Sequence, residues 1–143
     1  MKILAVDPGD KRIGIAISDP DGIIAYPLAM ILHTARAMDV ARIAELANQN
    51  DAGLILVGTA FDEEGEIGFQ ARKAMRLAEA LRALTPIPVE LWDESGSTQE
   101  ARAARFQMGG NRRSRQGHMD ELAATVLLQS FLEAQRNNKD KYP

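Results

Sequence analysis

Leu54-Ile55-Leu56-Val57 is an unbroken apolar run. A strand with one wet face alternates apolar and polar residues, whereas a strand covered on both faces reads as continuously apolar. The run therefore points to a central parallel strand with helices on either side. Lys2 to Val6 holds a similar run, Ile3-Leu4-Ala5-Val6, and predicts a second buried strand. Pro8-Gly9-Asp10 signals a turn. After it, Arg12 to Asp19 alternates large apolar with small residues, which predicts a strand antiparallel to the first because the link is short. Pro20-Asp21-Gly22 is another turn, and Ile23 to Leu28 then reads as an edge strand that tolerates Pro27 at its end.

The remaining elements follow from periodicity. Val40, Ile43, Ala44 and Ala47 recur at helical spacing within a helix over Ala37 to Asn48, with Asp39 near its positive end. A long helix is predicted over Glu66 to Leu84, stopped by Thr85-Pro86, and a last strand over Ile87 to Trp92. Ser97 or Thr98 caps a helix reaching about Met108. A loop runs from Gly109 to Gly117, and a final helix from about Met119 to Arg136. The expected fold class is α/β, with a mixed five-stranded sheet. Three strands form an antiparallel meander, the first, fourth and fifth are parallel neighbours, and helices flank the sheet. A length of 143 residues favours one domain, read as 1–136 with a polar tail at 137–143.

In open α/β sheets, ligand sites form beyond the carboxyl ends of the parallel strands. Asp7, the pair Asp93-Glu94, and Asp120 all fall at such element ends. Converging carboxylates there can hold Mg²⁺ or Mn²⁺, ions that drive phosphodiester hydrolysis. Each acid also has a plainer role open to it. Asp7 could accept N–H bonds in its turn, Asp93 or Glu94 could cap the next helix, and Asp120 could answer a helix dipole. Asp93 and Glu94 are adjacent, so a straight strand presents only one of them, taken here as Glu94. Asp62, Glu63 and Glu64 could add an outer ligand or simply be solvated. His118 could assist proton transfer; His33 has no identifiable partner. Trp92 and Phe106 read as core.

Composition narrows the chemistry further. The chain has no cysteine, which excludes disulfides, thiolate metal sites and cysteine nucleophiles. Net charge is −3, yet Ala101 to Met119 contains no acid and carries Arg102, Arg105, Arg112, Arg113 and Arg115. Arginine's fork suits phosphate oxygens. Together with Lys11 and Arg12 beside Asp7, the arginines Arg112, Arg113 and Arg115 are expected to position a nucleic-acid backbone. The alternative is a solvated helix face and loop. With no membrane-length apolar stretch and no signal-peptide pattern at the N-terminus, a cytoplasmic location is expected.

These motifs together resemble the YqgF/RuvX family. Asp7-Pro8-Gly9-Asp10-Lys11-Arg12-Ile13-Gly14-Ile15-Ala16 resembles its opening motif. Val57-Gly58 with Asp62-Glu63-Glu64-Gly65 and Gly68 is similar to its second, and Asp93-Glu94 with Ser97-Thr98 and Ala101 to its third. His118-Met119-Asp120 with Ala123-Ala124 is similar to its last. The resemblance implies a ribonuclease H-like fold akin to RuvC-type Holliday-junction resolvases. It implies a metal-dependent nuclease with Asp7, Glu94 and Asp120 as metal-binding catalytic acids. The family is described both as a Holliday-junction resolvase and as a nuclease that matures the 5′ end of the small-subunit ribosomal RNA precursor. Structured RNA is the expected substrate and branched DNA the second choice, acted on by a monomer or a homodimer. Two positions depart from the family pattern: Ser95-Gly96 replaces an arginine and a large apolar residue, and Thr59-Ala60 replaces a proline-containing segment. The first departure also admits a non-catalytic RNA- or protein-binding module. An ATP-using, actin-like relative would share the Asp7-Pro8-Gly9 turn but needs a second domain.

Overall fold

Leu4, Ala5 and Val6 have no exposed surface in the computed structural model, and neither do Ile55, Leu56 and Val57. The structure describes residues 1–59, 68–93 and 119–141, with side chains of the last helix described from 122 to 137. The two apolar runs lie side by side as parallel strands, Val6 opposite Val57. The elements in order are β1 (Lys2–Pro8), β2 (Arg12–Ser18), β3 (Ala25–Leu32), α1 (Arg36–Gln49), β4 (Ala52–Thr59), α2 (Phe69–Leu84), β5 (Val89–Asp93) and α3 (Met119–Lys141). The sheet order is β3-β2-β1-β4-β5. β1 and β2 pair antiparallel, as do β2 and β3, while β4 is parallel to both β1 and β5. This is the expected topology. The helix expected at 98–108 and the loop to Gly117 lie outside the described residues.

Alternation along the strands divides the core into two layers. Leu4, Val6, Ile13, Ile15, Ile55 and Val57 face α1 and α2. Ile3, Ala5, Ala16, Leu54 and Leu56 face α3 through Ala124, Leu127, Leu128, Phe131 and Leu132. Each fully buried aliphatic side chain contributes about 1.5–3 kcal/mol relative to exposure. Trp92 packs against this second layer, in keeping with its reading as core, though it is only partly buried. It meets Phe131 edge to face at 5.2 Å between ring centroids, tying β5 to α3.

β3 begins later than expected. The Asp19 carboxylate accepts hydrogen bonds from the backbone N–H groups of Ile23 (2.7 Å) and Ile24 (2.9 Å), which holds both residues in the turn. Pairing therefore starts at Ala25 and continues to Leu32. Pro27 sits within this edge strand, where its missing N–H breaks no ladder, beside a register shift at Ile15/Ala16. At the other end of the chain, α3 continues past Arg136 to Lys141, because no glycine or proline interrupts Asn137 to Lys141.

α3 runs down the sheet from the C-terminal ends of the parallel strands. Near the top, a Cβ built on Gly58 would come within 1.9 Å of Leu127 Cδ1. Lower down, the Gln129 amide donates to Ile23 O (3.0 Å) and accepts from Ala25 N (2.9 Å). Leu132 then lies 3.9 Å from the Cβ position of Gly22. The absent side chain at Gly58 is thus what lets α3 lie flat on β4. Among the described residues, no helix is long and apolar enough to cross a membrane.

Leu127 is 1% exposed and has no room to turn away, so Gly58→Ala should destabilise the fold by about 1–3 kcal/mol in urea unfolding. Gly53→Ala is the contrast. Its Cβ would meet Met1 Cγ at 2.4 Å, but Met1 is 68% exposed and swings aside, so stability should stay within about 0.5 kcal/mol of wild type. A further expectation concerns pH. The hydrogen bond from Ile24, chief among several backbone bonds, holds the Asp19 carboxyl below its ordinary pKa. A lowered folded-state pKa stabilises above the ordinary carboxylate range and is lost as pH falls through the lowered value. The difference in melting temperature between wild type and Asp19→Ala should therefore shrink on acidification below that range.

Candidate active site

The C-terminal ends of β1, β4 and β5 form one edge of the sheet, and α3 starts above it. Asp7 is half-buried near the end of β1, opposite Gly14 of β2, which carries no side chain to crowd the carboxylate. Alternation places Asp7 on the face of Ile3 and Ala5, the face covered by α3. Asp120 lies in the first turn of α3, four residues before Ala124 and seven before Leu127, both of which are buried against the sheet. That spacing sets position 120 about 10 Å up the helix axis from Leu127, toward the edge where Asp7 stands. Gly58 connects the two, since it fixes where Leu127 rests.

Asp93 ends β5 opposite Thr59 of β4. It alternates with Trp92, so it shares the face of Val89 and Leu91, away from Asp7. Glu94, Ser95 and Gly96 lie outside the described residues, as do Ala60, Asp62, Glu63, Glu64, Phe106, Arg112, Arg113, Arg115 and His118. Among the described residues, no group of three or more acids or histidines gathers into a metal site. Asp7 is therefore the described side chain on which such a site would be built. Its donor chemistry fits a hard divalent cation: a carboxylate oxygen, in a chain with no thiolate to offer.

Lys11, on the turn that follows β1, and Arg12, the first residue of β2, are both exposed. The turn is held in three ways. Gly9 N donates to Arg12 O (2.9 Å), His33 N donates to Lys11 O (2.9 Å), and Lys73 of α2 donates to Gly9 O while pairing with Asp10 at 3.2 Å. Both cations are thus carried on a fixed support at the Asp7 edge. Lys73 is a supporting residue that sequence spacing does not reveal.

His33 has a partner after all. Its Nδ1 hydrogen-bonds the Asp39 carboxylate, which also accepts from Thr34 N (3.2 Å). The expectation of an unpartnered histidine fails because the link from β3 doubles back into α1, returning the first helical turn to the strand end. Asp39 is 2% exposed, so its carboxylate serves as a buried acceptor rather than merely a dipole partner. Asp39→Ala should leave these donors without an acceptor and destabilise the protein by about 1–3 kcal/mol in chemical denaturation, whereas His33→Ala should cost less.

Comparison with known proteins follows the same lines. The family model RuvX, described as Holliday junction resolvase, matches residues 1–134. A protein of Thermoanaerobacter pseudethanolicus named "Putative pre-16S rRNA nuclease" is 38% identical, covering 96% of this chain and 99% of its own. One of the same name from Thermobifida fusca is 42% identical, covering 95% and 89%. Among solved structures, Thermus thermophilus RuvC superposes with a TM-score of 0.57 at 15% identity, covering 96% of this chain and 97% of its own. At that identity the likeness concerns the fold, and it agrees with the expected ribonuclease H-like arrangement.

Proposed function

The chain belongs to the RuvX family, and on that premise we propose that it is a metal-dependent nuclease acting on the small-subunit ribosomal RNA precursor. The observation that carries the reading is the position of Asp7. It sits near the end of a central strand whose residues Ile3 to Val6 are buried, on the face whose covering helix carries Asp120 in its first turn at the same edge. A carboxylate at that edge offers hard oxygen donors of the kind a divalent cation takes. The relatives named as nucleases match nearly the whole chain, which supports carrying the activity over.

Asp7, Glu94 and Asp120 are the acids we assign to hold Mg²⁺ or Mn²⁺. Glu94 is preferred over Asp93 because Asp93 shares the face of Leu91, away from Asp7. Such an ion, when bound, supplies an activated water and neutralises charge on the leaving oxygen. The chain's own cations do the positioning: Lys11 and Arg12 from the fixed turn, and Arg112, Arg113 and Arg115 from the basic segment. Contacts of this kind hold phosphates without reading sequence. Structured RNA is the substrate we assign, in the cytoplasm; branched DNA remains the second reading, favoured by the family's description. A symmetric junction cut would need two such sites, hence a dimer.

The test is cleavage of a precursor ribosomal RNA fragment, with a four-way DNA junction run beside it, in Mg²⁺ or Mn²⁺. Loss of an outer partner of a metal ligand costs about 10–100-fold, so Asp7→Asn should lower the cleavage rate by more than about 100-fold while the protein stays folded. Chelation should abolish the product and added ion restore it. A folded, RNA-binding wild type that cuts neither substrate would count against the nuclease and for the binding module.

A further inference from the structure

On the other face of the sheet, α1 and α2 enclose a cleft of about 680 Å³ that opens at the same edge. Its floor includes Ile13 and Leu77, and Pro8 forms part of its rim. Pro8 follows Asp7 in β1, so the cleft and the Asp7 carboxylate begin one residue apart on opposite faces of one strand. Neighbouring strand residues stand about 3.3 Å apart along the chain, so one extended polymer passing over the edge meets both.

The cleft is cationic. Among the described residues, Arg36 of α1 and Arg72, Lys73 and Arg76 of α2 line it, against two acids, Asp10 and Asp39. Both acids are engaged, Asp10 with Lys73 and Asp39 with His33. Arg36, Arg72 and Arg76 are exposed and make no ion pair among the described residues. Arg72 and Arg76 are four residues apart, so they stand on one stripe of α2, where like charges oppose the helix. Glu79 is the sole acid of α2, and it forms no described ion pair with either. A helix that sets arginines with no described ion partner together inside a concavity is arranged to meet an external anion. The volume is that of a small-ligand pocket, enough to take a short stretch of single strand and too small to enclose a duplex.

We infer that the α1–α2 cleft is a track for a single-stranded segment of nucleic acid, its phosphates held by Arg36, Arg72 and Arg76, leading away from the Asp7 edge. Its direction rests on the nuclease reading; its binding does not. Contacts to phosphate give affinity that falls with salt and is indifferent to sequence.

The experiment is fluorescence anisotropy with end-labelled single-stranded RNA in EDTA, so that binding is read without cleavage. Glutamine preserves helix propensity and removes charge, so the triple variant Arg36→Gln, Arg72→Gln, Arg76→Gln should melt as wild type does. Single-strand binding should weaken at least about ten-fold. The slope of log affinity against log salt should fall by about 2, since each phosphate no longer neutralised removes roughly 0.7. Binding of blunt duplex RNA should be unaffected. Arg42→Gln, an exposed position of α1 outside the cleft, should change neither quantity. Unchanged affinity and slope in the triple variant would overturn the inference, as would an equal loss in Arg42→Gln. Competition by tripolyphosphate at micromolar concentration, abolished in the triple variant, would instead make the cleft a small-anion pocket. The two readings part cleanly. Wild-type cleavage with unimpaired binding by the triple variant removes the track and keeps the nuclease. Cleft-dependent binding by a wild type that cuts no RNA keeps the track and removes the nuclease.

Discussion

The structure depends on one pairing, β1 beside β4, buried on both faces. Val6 and Val57 sit side by side with no exposed surface, as do their neighbours toward the N-terminal ends. Away from water, the backbone groups of these strands must bond to each other, since an unpaired one would be strongly destabilising. That requirement fixes the register. It also fixes which end of each strand reaches solvent, because both strands run the same way and emerge together at Asp7 and Gly58. A carboxylate placed at the end of such a strand inherits the rigidity of the core beneath it, with little freedom of its own.

The helices convert this edge into two different surfaces. α3 covers the Asp7 face and brings its first turn above the edge. α1 and α2 cover the other face and leave a basic concavity between them. The turn at Gly9 to Arg12 stands between the two surfaces and is braced by Lys73, a residue of the concavity. The proposed chemistry and the proposed track therefore share a support, although no described side chain belongs to both faces.

Much of this was legible in the sequence because it rests on local periodicity. The run Leu54 to Val57 announced a central strand, and the order of elements announced the sheet. Asp7 stood out because a charged residue directly follows an apolar run. What sequence could not show depends on contacts between distant segments. His33 finds Asp39 only because the chain reverses between β3 and α1. The late start of β3 comes from a side chain, Asp19, competing for the N–H groups that the apolar residues Ile23 and Ile24 would otherwise give to a ladder. Arg36 and the pair Arg72 and Arg76 look like ordinary solvated helix positions until the two helices are seen to face one cavity. The i, i+4 repetition of arginine in α2 was the available signal. Which of Asp93 and Glu94 faces the edge was not legible in the sequence; for Asp93 the pleat answers it, with Trp92 supplying the phase by packing on Phe131.

The contact between Gly58 and Leu127 works as a stop against which a lever rests. α3 advances about 1.5 Å per residue, so any shift at the stop carries through a stiff rod to position 120. Productive constellations tolerate errors of only about 0.5 Å. The spacing between Asp7 and position 120, the strand and helix acids assigned to the proposed metal site, is therefore gauged by two residues with no chemistry of their own. Bulk added at 58 would have to be matched by bulk removed at 127 for the gauge to read the same. Such compensated pairs offer a route by which related chains could retune the reach of the proposed site while leaving every carboxylate in place.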